Sequence, residues 1–227
     1  MISHEYKCIF IHIPKCAGTS IEKALGHFNG HTGREGQDHR TIRNIEKPSF
    51  NRHTFSSKEN IKMYINGVRY QKFYKAANES NKITVTKDQY EKYFKFSIVR
   101  NPWSRAFSAY KNIMRDELHK ANYGITTEIS FPQFVETYIG KGMLRPQTFW
   151  LKNYKGEIPL DYIGKFETIE ETFKEIKQRL ILPEIEFPHE LHGSSTDYRS
   201  YYDKKSMELV QRFYDEEIRL FDYSFDA

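Results

Sequence analysis

The feature that most constrains the fold is a strand, a small-residue loop and a helix that follow one another near the start of the sequence. Residues 7–13 read KCIFIHI, a β-branched and aromatic run closed by a proline, which is the pattern of a buried strand. After a loop that contains Gly18, residues 21–25 have helix-compatible spacing, and Thr19 and Ser20 are natural helix starters. The chain therefore begins with a strand–loop–helix unit.

Two further apolar runs predict strands that alternate with helices along the chain. Residues 93–99, YFKFSIV, predict a second buried strand, and Pro102 can open a helix that runs to about Glu117. Residues 161–166 predict a third strand, and a capping box of Thr168 and Glu171 is expected to start the next helix. This alternation predicts an α/β fold, with a parallel β-sheet flanked by helices.

The remaining elements follow from helical periodicity. Residues 57–77 look helical with an interruption at Gly67, and residues 26–52 read as a loop region that holds one short helix. Further helices are expected at residues 131–139, 145–153 and 204–214, with a long loop at residues 183–196. Since there is no internal repeat or linker, residues 1–227 are predicted to form a single domain.

Composition and charge exclude several classes of protein. Aromatic residues make up 15% of the chain, which is enough to build a core and argues against global disorder. No apolar run approaches the ~20 residues of a membrane-spanning helix, and because the first motif begins almost at the N-terminus, no signal peptide is expected. The formal charge of +5 suits an anionic ligand but is too small for a nucleic-acid-coating surface. The two cysteines, Cys8 and Cys16, indicate no disulfide framework, so a cytoplasmic protein is expected.

The loop after the first strand has the composition of an anion site. Unpaired amides and the positive end of the following helix point at one place, and Lys15, Thr19 and Ser20 add a charge and two hydroxyls. Gly18 by itself would only mark a turn. The lysine precedes the glycine, unlike in a G-x-x-x-x-G-K-[ST] loop, and the second strand ends in Arg100 rather than a magnesium-binding aspartate. Metal-dependent phosphoryl transfer is therefore disfavoured.

Two segments resemble motifs of the sulfotransferase family, in particular of its carbohydrate sulfotransferase branch. Residues 10–20, FIHIPKCAGTS, are similar to the loop that binds the 5′-phosphosulfate of 3′-phosphoadenosine 5′-phosphosulfate (PAPS). Residues 98–110, IVRNPWSRAFSAY, are similar to the segment that binds its 3′-phosphate. The two motifs occur in the family's order, and Pro146 and Gln147 are similar to a later landmark. The resemblance implies a P-loop-NTPase-like sulfotransferase fold.

The resemblance also implies a role for individual residues in a metal-free transfer of a sulfuryl group from PAPS. Lys15 is placed to supply the positive charge that the transferring group and its leaving phosphate need. The residues expected to hold the 5′-phosphosulfate are Lys15, Cys16, Ala17, Gly18, Thr19 and Ser20. Arg100 and Ser108 are expected to bracket the 3′-phosphate, since their spacing can bring them to one side. Arg105 could equally tie its helix to a neighbouring carboxylate.

Nine histidines supply candidates for the base that takes the proton of an acceptor hydroxyl. The resemblance implies that His39, in the segment QDHRTI, is the catalytic base. The alternative interpretation is that Asp38 and His39 only form a helix cap on an exposed turn. The other candidate bases are His12, His31 and His53. Glu22 is expected to be a solvated helix residue.

The nature of the acceptor comes from the resemblance, which implies a hydroxyl of a glycan or glycoconjugate, with no nucleic acid partner and no stable membrane insertion. A P-loop nucleotide kinase-like enzyme is one alternative function. A non-catalytic protein that binds a nucleotide or polyanion is the other, although Lys15 and the candidate base count against it. His189 and His192 lack a paired cysteine motif, so no metal site is expected.

Overall fold

The chain runs through one structural unit, leaves it after Val99 for a second unit, and returns at Thr148. The computed structural model describes residues 1–29, 36–46, 52–73, 84–183 and 197–226. Its contacts divide the chain into Met1–Val99 with Thr148–Leu191, and Arg100–Gln147 with His192–Ala227. The expectation of a single domain stays a prediction.

The first unit contains a four-stranded sheet in the order β1-β2-β3-β4. The strands are β1 (Ile2–Ser3), β2 (Cys8–Ile11), β3 (Phe94–Val99) and β4 (Tyr162–Lys165). β2, β3 and β4 pair in parallel, while β1 is antiparallel to β2. All of β2 and nearly all of β3 are buried, as expected for parallel strands covered on both faces. The predicted parallel sheet is confirmed.

Eleven α-helices lie in the described part of the chain. In chain order they are α1 (Gly18–Ala24), α2 (Ile42–Ile45), α3 (Lys58–Phe73), α4 (Lys87–Lys92), α5 (Pro102–Met114), α6 (Glu117–Tyr123), α7 (Phe131–Tyr138), α8 (Thr148–Leu151), α9 (Ile169–Leu180), α10 (Lys204–Phe213) and α11 (Asp215–Leu220). The short helix predicted between the first strand and α3 is confirmed as α2. The long loop predicted at residues 183–196 lies almost wholly outside the described residues.

Several helix boundaries differ from the sequence-based expectation. α3 continues through Gly67 without interruption, because this glycine is buried on the packed side of the helix. The helix predicted from Pro102 to about Glu117 is confirmed as α5, which ends at Met114. A separate helix, α6, was not predicted, and Asp116 begins it by accepting a hydrogen bond from the His119 amide. The helix predicted at residues 145–153 is only the four residues of α8.

The capping box predicted from Thr168 is wrong. The Thr168 side chain makes no cap hydrogen bond, and a 3₁₀ turn, Phe166–Thr168, joins β4 to α9. The hydroxyl of Thr172, one turn into the helix, donates instead to the carbonyl of Lys165 at 3.0 Å. A Cβ atom on Gly164 would overlap Thr172, so this glycine is what allows α9 to pack closely on β4.

The second unit packs its helices around a core of aromatic and aliphatic side chains. α5 begins at Pro102 because the side chain of Asn101 caps it by accepting from the first free amides of the helix. Phe107 of α5 meets Phe131 of α7 edge to face, with ring centroids 5.3 Å apart. Other buried members of this core are Trp103, Ala109, Ile113, Phe134, Leu144, Val210 and Tyr214.

Candidate active site

The loop between β2 and α1 has an unusual backbone conformation. Lys15 and Ala17 have φ angles of 70° and 62°, in the left-handed region that non-glycine residues seldom adopt. Each such residue costs roughly 1–2 kcal/mol, and strain of this kind concentrates at ligand-binding loops. Left-handed residues alternating with others also turn successive N–H groups toward one side, which is how backbone nests bind anions.

The first turn of α1 retains free hydrogen-bond donors. Among the described residues, nothing accepts a hydrogen bond from the amides of Ala17, Gly18 and Thr19. The Ser20 amide is used, because it donates to the carbonyl of Ala17 at 3.1 Å. The expectation that Thr19 or Ser20 caps this helix is wrong: the N-cap is Ala17, and no side chain caps it. Within the described ranges, three amides therefore face the loop without a partner of their own.

The two hydroxyls of the motif have different surroundings. The Ser20 side chain is buried, whereas Thr19 is half-buried and its Oγ1 accepts a hydrogen bond from Gln37 at 3.3 Å. Lys15 is half-buried in the loop itself. Cys16 is buried, and its thiol donates to the Pro14 carbonyl at 3.7 Å.

The imidazole of His12 packs against the backbone of this loop at Gly18. His12 is only 2% exposed, and a Cβ atom built on Gly18 would overlap its ring. Gly18 is therefore required by the close approach of the ring to the backbone. Burial lowers the pKa of His12 to about 3, and the positive charge of Lys15 adds to the effect, so this histidine is neutral.

Glu22 is buried, and the expectation that it is solvated is wrong. Its Oε1 atom accepts a hydrogen bond from the backbone N–H of Asp38 at 3.0 Å, and lies 3.1 Å from Nδ1 of His12 without hydrogen-bond geometry. Burial raises the pKa of the carboxyl group. Glu22 thus ties α1 to the segment that carries His39.

His39 contacts His12 in two ways. Its Nδ1 atom lies 3.2 Å from the backbone oxygen of His12, and the two rings have centroids 4.1 Å apart. Burial and the neighbouring His12 lower the pKa of His39 to about 4. The residue nevertheless keeps an exposed surface, where water limits the cost of the charged form.

The alternative interpretation of Asp38 and His39 as a helix cap is wrong. Thr41 is the N-cap of α2, and it forms a capping box with Asn44. Asp38 instead accepts hydrogen bonds from the Arg40 guanidinium, the shortest of them 2.6 Å. Burial acts to raise the pKa of Asp38, but Arg40 and the N-terminal amine, which lies 3.2 Å from Oδ2, together outweigh it and hold the pKa well below its usual value.

The other candidate bases are placed differently. His12 lies close to Gly18, Glu22 and His39, but its side chain is buried. The ring of His53 accepts a hydrogen bond from the Arg52 guanidinium at 3.3 Å. His31 lies outside the described residues. His39 is thus the candidate that combines contact with the loop region and exposure to solvent.

In the second unit, Arg100 contacts a serine that the sequence analysis did not consider. Its Nε atom donates to Oγ of Ser104 at 3.0 Å. Ser104 and Ser108 are both half-buried and lie one turn apart on α5, so they share a face of the helix. The signal for Ser104 was present in the sequence, because it is four residues from both Arg100 and Ser108.

Arg105 binds backbone carbonyl oxygens of its own unit. It is only 1% exposed, and its guanidinium donates to the carbonyl oxygens of Met143, at 3.0 Å, and Arg145, at 2.6 Å. These bonds tie α5 to the segment that precedes Gln147. Arg105 is therefore a structural residue of the second unit.

Neither a metal-binding cluster nor a membrane-spanning helix occurs in the described ranges. They hold no group of three or more His, Cys, Asp or Glu side chains that could bind a metal ion, and His189 and His192 lie outside them. In the same ranges, no helix combines the length and the apolar character needed to cross a bilayer. Cys8 and Cys16 are both buried thiols. The cytoplasmic location stays a prediction.

Comparison with known proteins identifies the class. Residues 1–224 match the model of the sulfotransferase family, so the chain belongs to that family, whose members transfer sulfuryl groups. The chain is also similar to an uncharacterized protein of Archaeoglobus fulgidus, with 31% identity over 102 residues. That match covers 44% of this chain and 78% of the relative. No solved structure matches the chain.

Proposed function

We propose that this protein transfers a sulfuryl group from PAPS to a hydroxyl of a glycan or glycoconjugate. The loop after β2 is the observation that carries the proposal. It contains Lys15 and three amides that have no acceptor in the described ranges, and His39 contacts the adjacent His12. Family membership supports sulfuryl transfer as the reaction class. To this reaction class our proposal adds PAPS as the donor, a glycan or glycoconjugate as the acceptor, and a P-loop-NTPase-like arrangement of the sheet.

The residues of the loop fit the phosphosulfate end of PAPS. The amides of Ala17, Gly18 and Thr19 have no acceptor among the described residues, and buried or half-buried amides need one. Lys15 adds a full positive charge to these donors. An anionic group would accept hydrogen bonds from these amides and be attracted by the lysine charge, with no magnesium ion needed.

The residues at the start of α5 fit a second phosphate. Arg100 and the hydroxyls of Ser104 and Ser108 provide a fork of N–H groups and two O–H groups, which suit phosphate oxygens. In the proposed role, Ser104 orients the guanidinium through its bond to Nε. The guanidinium oriented in this way then recognises the 3′-phosphate.

PAPS supplies an activated sulfuryl group whose leaving group is a phosphate. Lys15 would stabilise the negative charge that grows on the leaving oxygen. His39 would accept the proton of the attacking hydroxyl at Nε2, since its Nδ1 faces the His12 carbonyl, which can only accept a hydrogen bond. His12, buried and neutral, would keep that carbonyl in place and add no positive charge.

Thermal unfolding with a panel of ligands tests the donor. A ligand that binds only the folded state at 100 times its Kd stabilises the protein by about 2.7 kcal/mol. We expect 3′-phosphoadenosine 5′-phosphate (PAP) to raise the Tm more than ATP or ADP, with or without magnesium. A larger shift with magnesium and ATP would instead support a kinase-like enzyme.

An assay of product formation tests turnover and acceptor together. Purified protein, PAPS and a mixture of glycans should yield PAP and sulfated glycan, and a metal chelator should not reduce the rate. The non-catalytic alternative would be supported if the protein binds PAP but forms none from PAPS when glycans, proteins and small hydroxylated acceptors are present.

A further inference from the structure

The side chain of Gln147 forms a pair of hydrogen bonds with the backbone of Arg100. Its Oε1 atom accepts from the Arg100 amide at 2.8 Å, and its Nε2 atom donates to the Arg100 carbonyl at 2.8 Å. Gln147 is completely buried. β3 ends one residue earlier, so these two backbone groups lie beyond the strand, and a side chain takes the place of a strand partner.

A buried carboxylate holds the Gln147 amide in one orientation. Oε1 of Glu217, in the first turn of α11, accepts from Nε2 of Gln147 at 3.1 Å, and its Oε2 accepts from the Gln147 backbone N–H. Glu217 is 1% exposed. If the Gln147 amide flipped, its NH₂ group would face the Arg100 N–H and its oxygen would face the carboxylate. Glu217 therefore excludes the flipped form.

These contacts fix Arg100 from both ends. Gln147 holds its backbone, and Ser104 holds Nε of its side chain. A long arginine side chain loses rotamer entropy when it binds an anion, so a residue already held in place binds more tightly and more selectively. Neither Gln147 nor Glu217 needs to touch the ligand for this effect.

We propose that Gln147 and Glu217 are positioning residues that set the preference of Arg100 for a ligand with a 3′-phosphate. The inference rests on the proposed function, because it takes Arg100 as the residue that recognises that phosphate. It predicts that a change at residue 147 alters the ratio of PAP affinity to AMP affinity, since these ligands differ only in the 3′-phosphate.

Gln147→Glu is the informative single substitution. It preserves the shape of the side chain but removes the donor to the Arg100 carbonyl and places a second carboxylate against Glu217. We expect a lower Tm and a loss of about tenfold in the ratio of PAP to AMP affinity, the size of one strong hydrogen bond. Gln133→Glu, an exposed site on α7, is the matched control and should change neither quantity.

The double variant Gln147→Glu/Glu217→Gln separates positioning from folding. The amide introduced at position 217 can accept from the backbone N–H of residue 147 and donate to the new carboxylate, so the two side chains pair again. The donor to the Arg100 carbonyl is still missing. We therefore expect the Tm to recover to within a few degrees of wild type, while the PAP to AMP ratio stays reduced.

The measurements distinguish the two levels of the proposal. Calorimetric titration of wild-type protein with PAP and AMP comes first, and an absence of preference for PAP would overturn the proposed donor and the positioning role with it. If wild type prefers PAP and the double variant recovers its Tm with an unchanged ratio, the positioning role alone is overturned. If the double variant does not recover its Tm, the ratio of PAP to AMP affinity is measured in Gln147→Asn, which keeps the amide on a shorter side chain. A wild-type ratio overturns the positioning role, and a reduced ratio supports it.

Discussion

Nδ1 of His39 lies 3.2 Å from the backbone oxygen of His12. A carbonyl oxygen can only accept a hydrogen bond, so this contact places the His39 proton on Nδ1 and leaves the lone pair on Nε2. Fixing the tautomer through the second ring nitrogen is a common way to prepare a histidine for proton transfer. Three residues, His12, Gly18 and Glu22, connect the loop after β2 to His39, the candidate base.

Replacement of His39 by Asn should abolish proton transfer without disturbing donor binding. We expect kcat to fall by roughly 10²–10⁴-fold, the usual contribution of a general base, with PAP affinity within about twofold of wild type. Steady-state kinetics and calorimetry with PAP measure the two effects. His53→Asn is the control and should retain turnover. A His39→Asn protein that keeps its kcat, or loses PAP affinity instead, would show that His39 has a structural role.

The pH dependence of turnover should reveal the lowered pKa of His39. A neutral imidazole accepts a proton and an imidazolium does not, so kcat falls as pH drops through the folded-state pKa. Because burial and His12 lower that pKa from 6.5 toward about 4, we expect the acid limb of kcat below pH 6.5. A profile from about pH 4 to 8 checks this, and a limb at or above the ordinary histidine value of about 6.5 would contradict it.

Lys15→Ala should remove activity and preserve the fold. The residue is half-buried in a loop, so its loss leaves the core intact, whereas loss of a charge at the leaving group typically costs about 10²–10³-fold in kcat. Activity and Tm are measured side by side, with Lys23→Ala on α1 as a control for loss of one positive charge. Near-normal sulfate transfer by a folded Lys15→Ala protein would remove Lys15 from the mechanism.

Gly18→Ala should destabilise the protein through His12. The new Cβ would overlap the imidazole, and overpacking of this kind typically costs about 1–3 kcal/mol. If the ring is the cause, the double variant Gly18→Ala/His12→Ala should lose less free energy of unfolding than the two single variants lose when their losses are added. Denaturant unfolding of the four proteins gives the coupling free energy, and additive effects would refute the steric explanation.

Substitutions at Arg100 and Ser108 test recognition of the 3′-phosphate. A charge-assisted hydrogen bond contributes about 1.5–3 kcal/mol, so Arg100→Ala should weaken PAP binding about ten- to hundredfold, with a smaller effect for Ser108→Ala. Binding of AMP should change far less in both variants. Equal losses for PAP and AMP would mean that neither residue recognises the 3′ position.

The strands were predictable because each is a short run of β-branched and aromatic residues between clear breaks. β2, β3 and β4 fall inside the predicted segments. β1, α4 and α6 were missed, since a strand of two residues and helices of six and seven carry too little periodicity to be recognised. The capping box at Thr168 was plausible from spacing alone, yet the 3₁₀ turn before α9 prevented it.

The two motif segments, with Lys15 and Arg100 among their residues, could also be identified from the order of residues along the chain. The partners of those residues could not. Ser104 and Gln147 contact Arg100 from four and 47 residues away, and only the first of these separations follows from helical geometry. Gln147 reaches the Arg100 backbone because the second unit folds the two segments against each other.

The sequence by itself determined the alternation of strands and helices and the chemistry of the loop after the first strand, because both depend on residues that are neighbours along the chain. Only the tertiary structure decided that Glu22 is buried, that it holds the Asp38 backbone, and that His39 meets the His12 carbonyl. Burial, and the pKa shifts that follow from it, depend on what packs around a side chain after the chain has folded. No local pattern records that information.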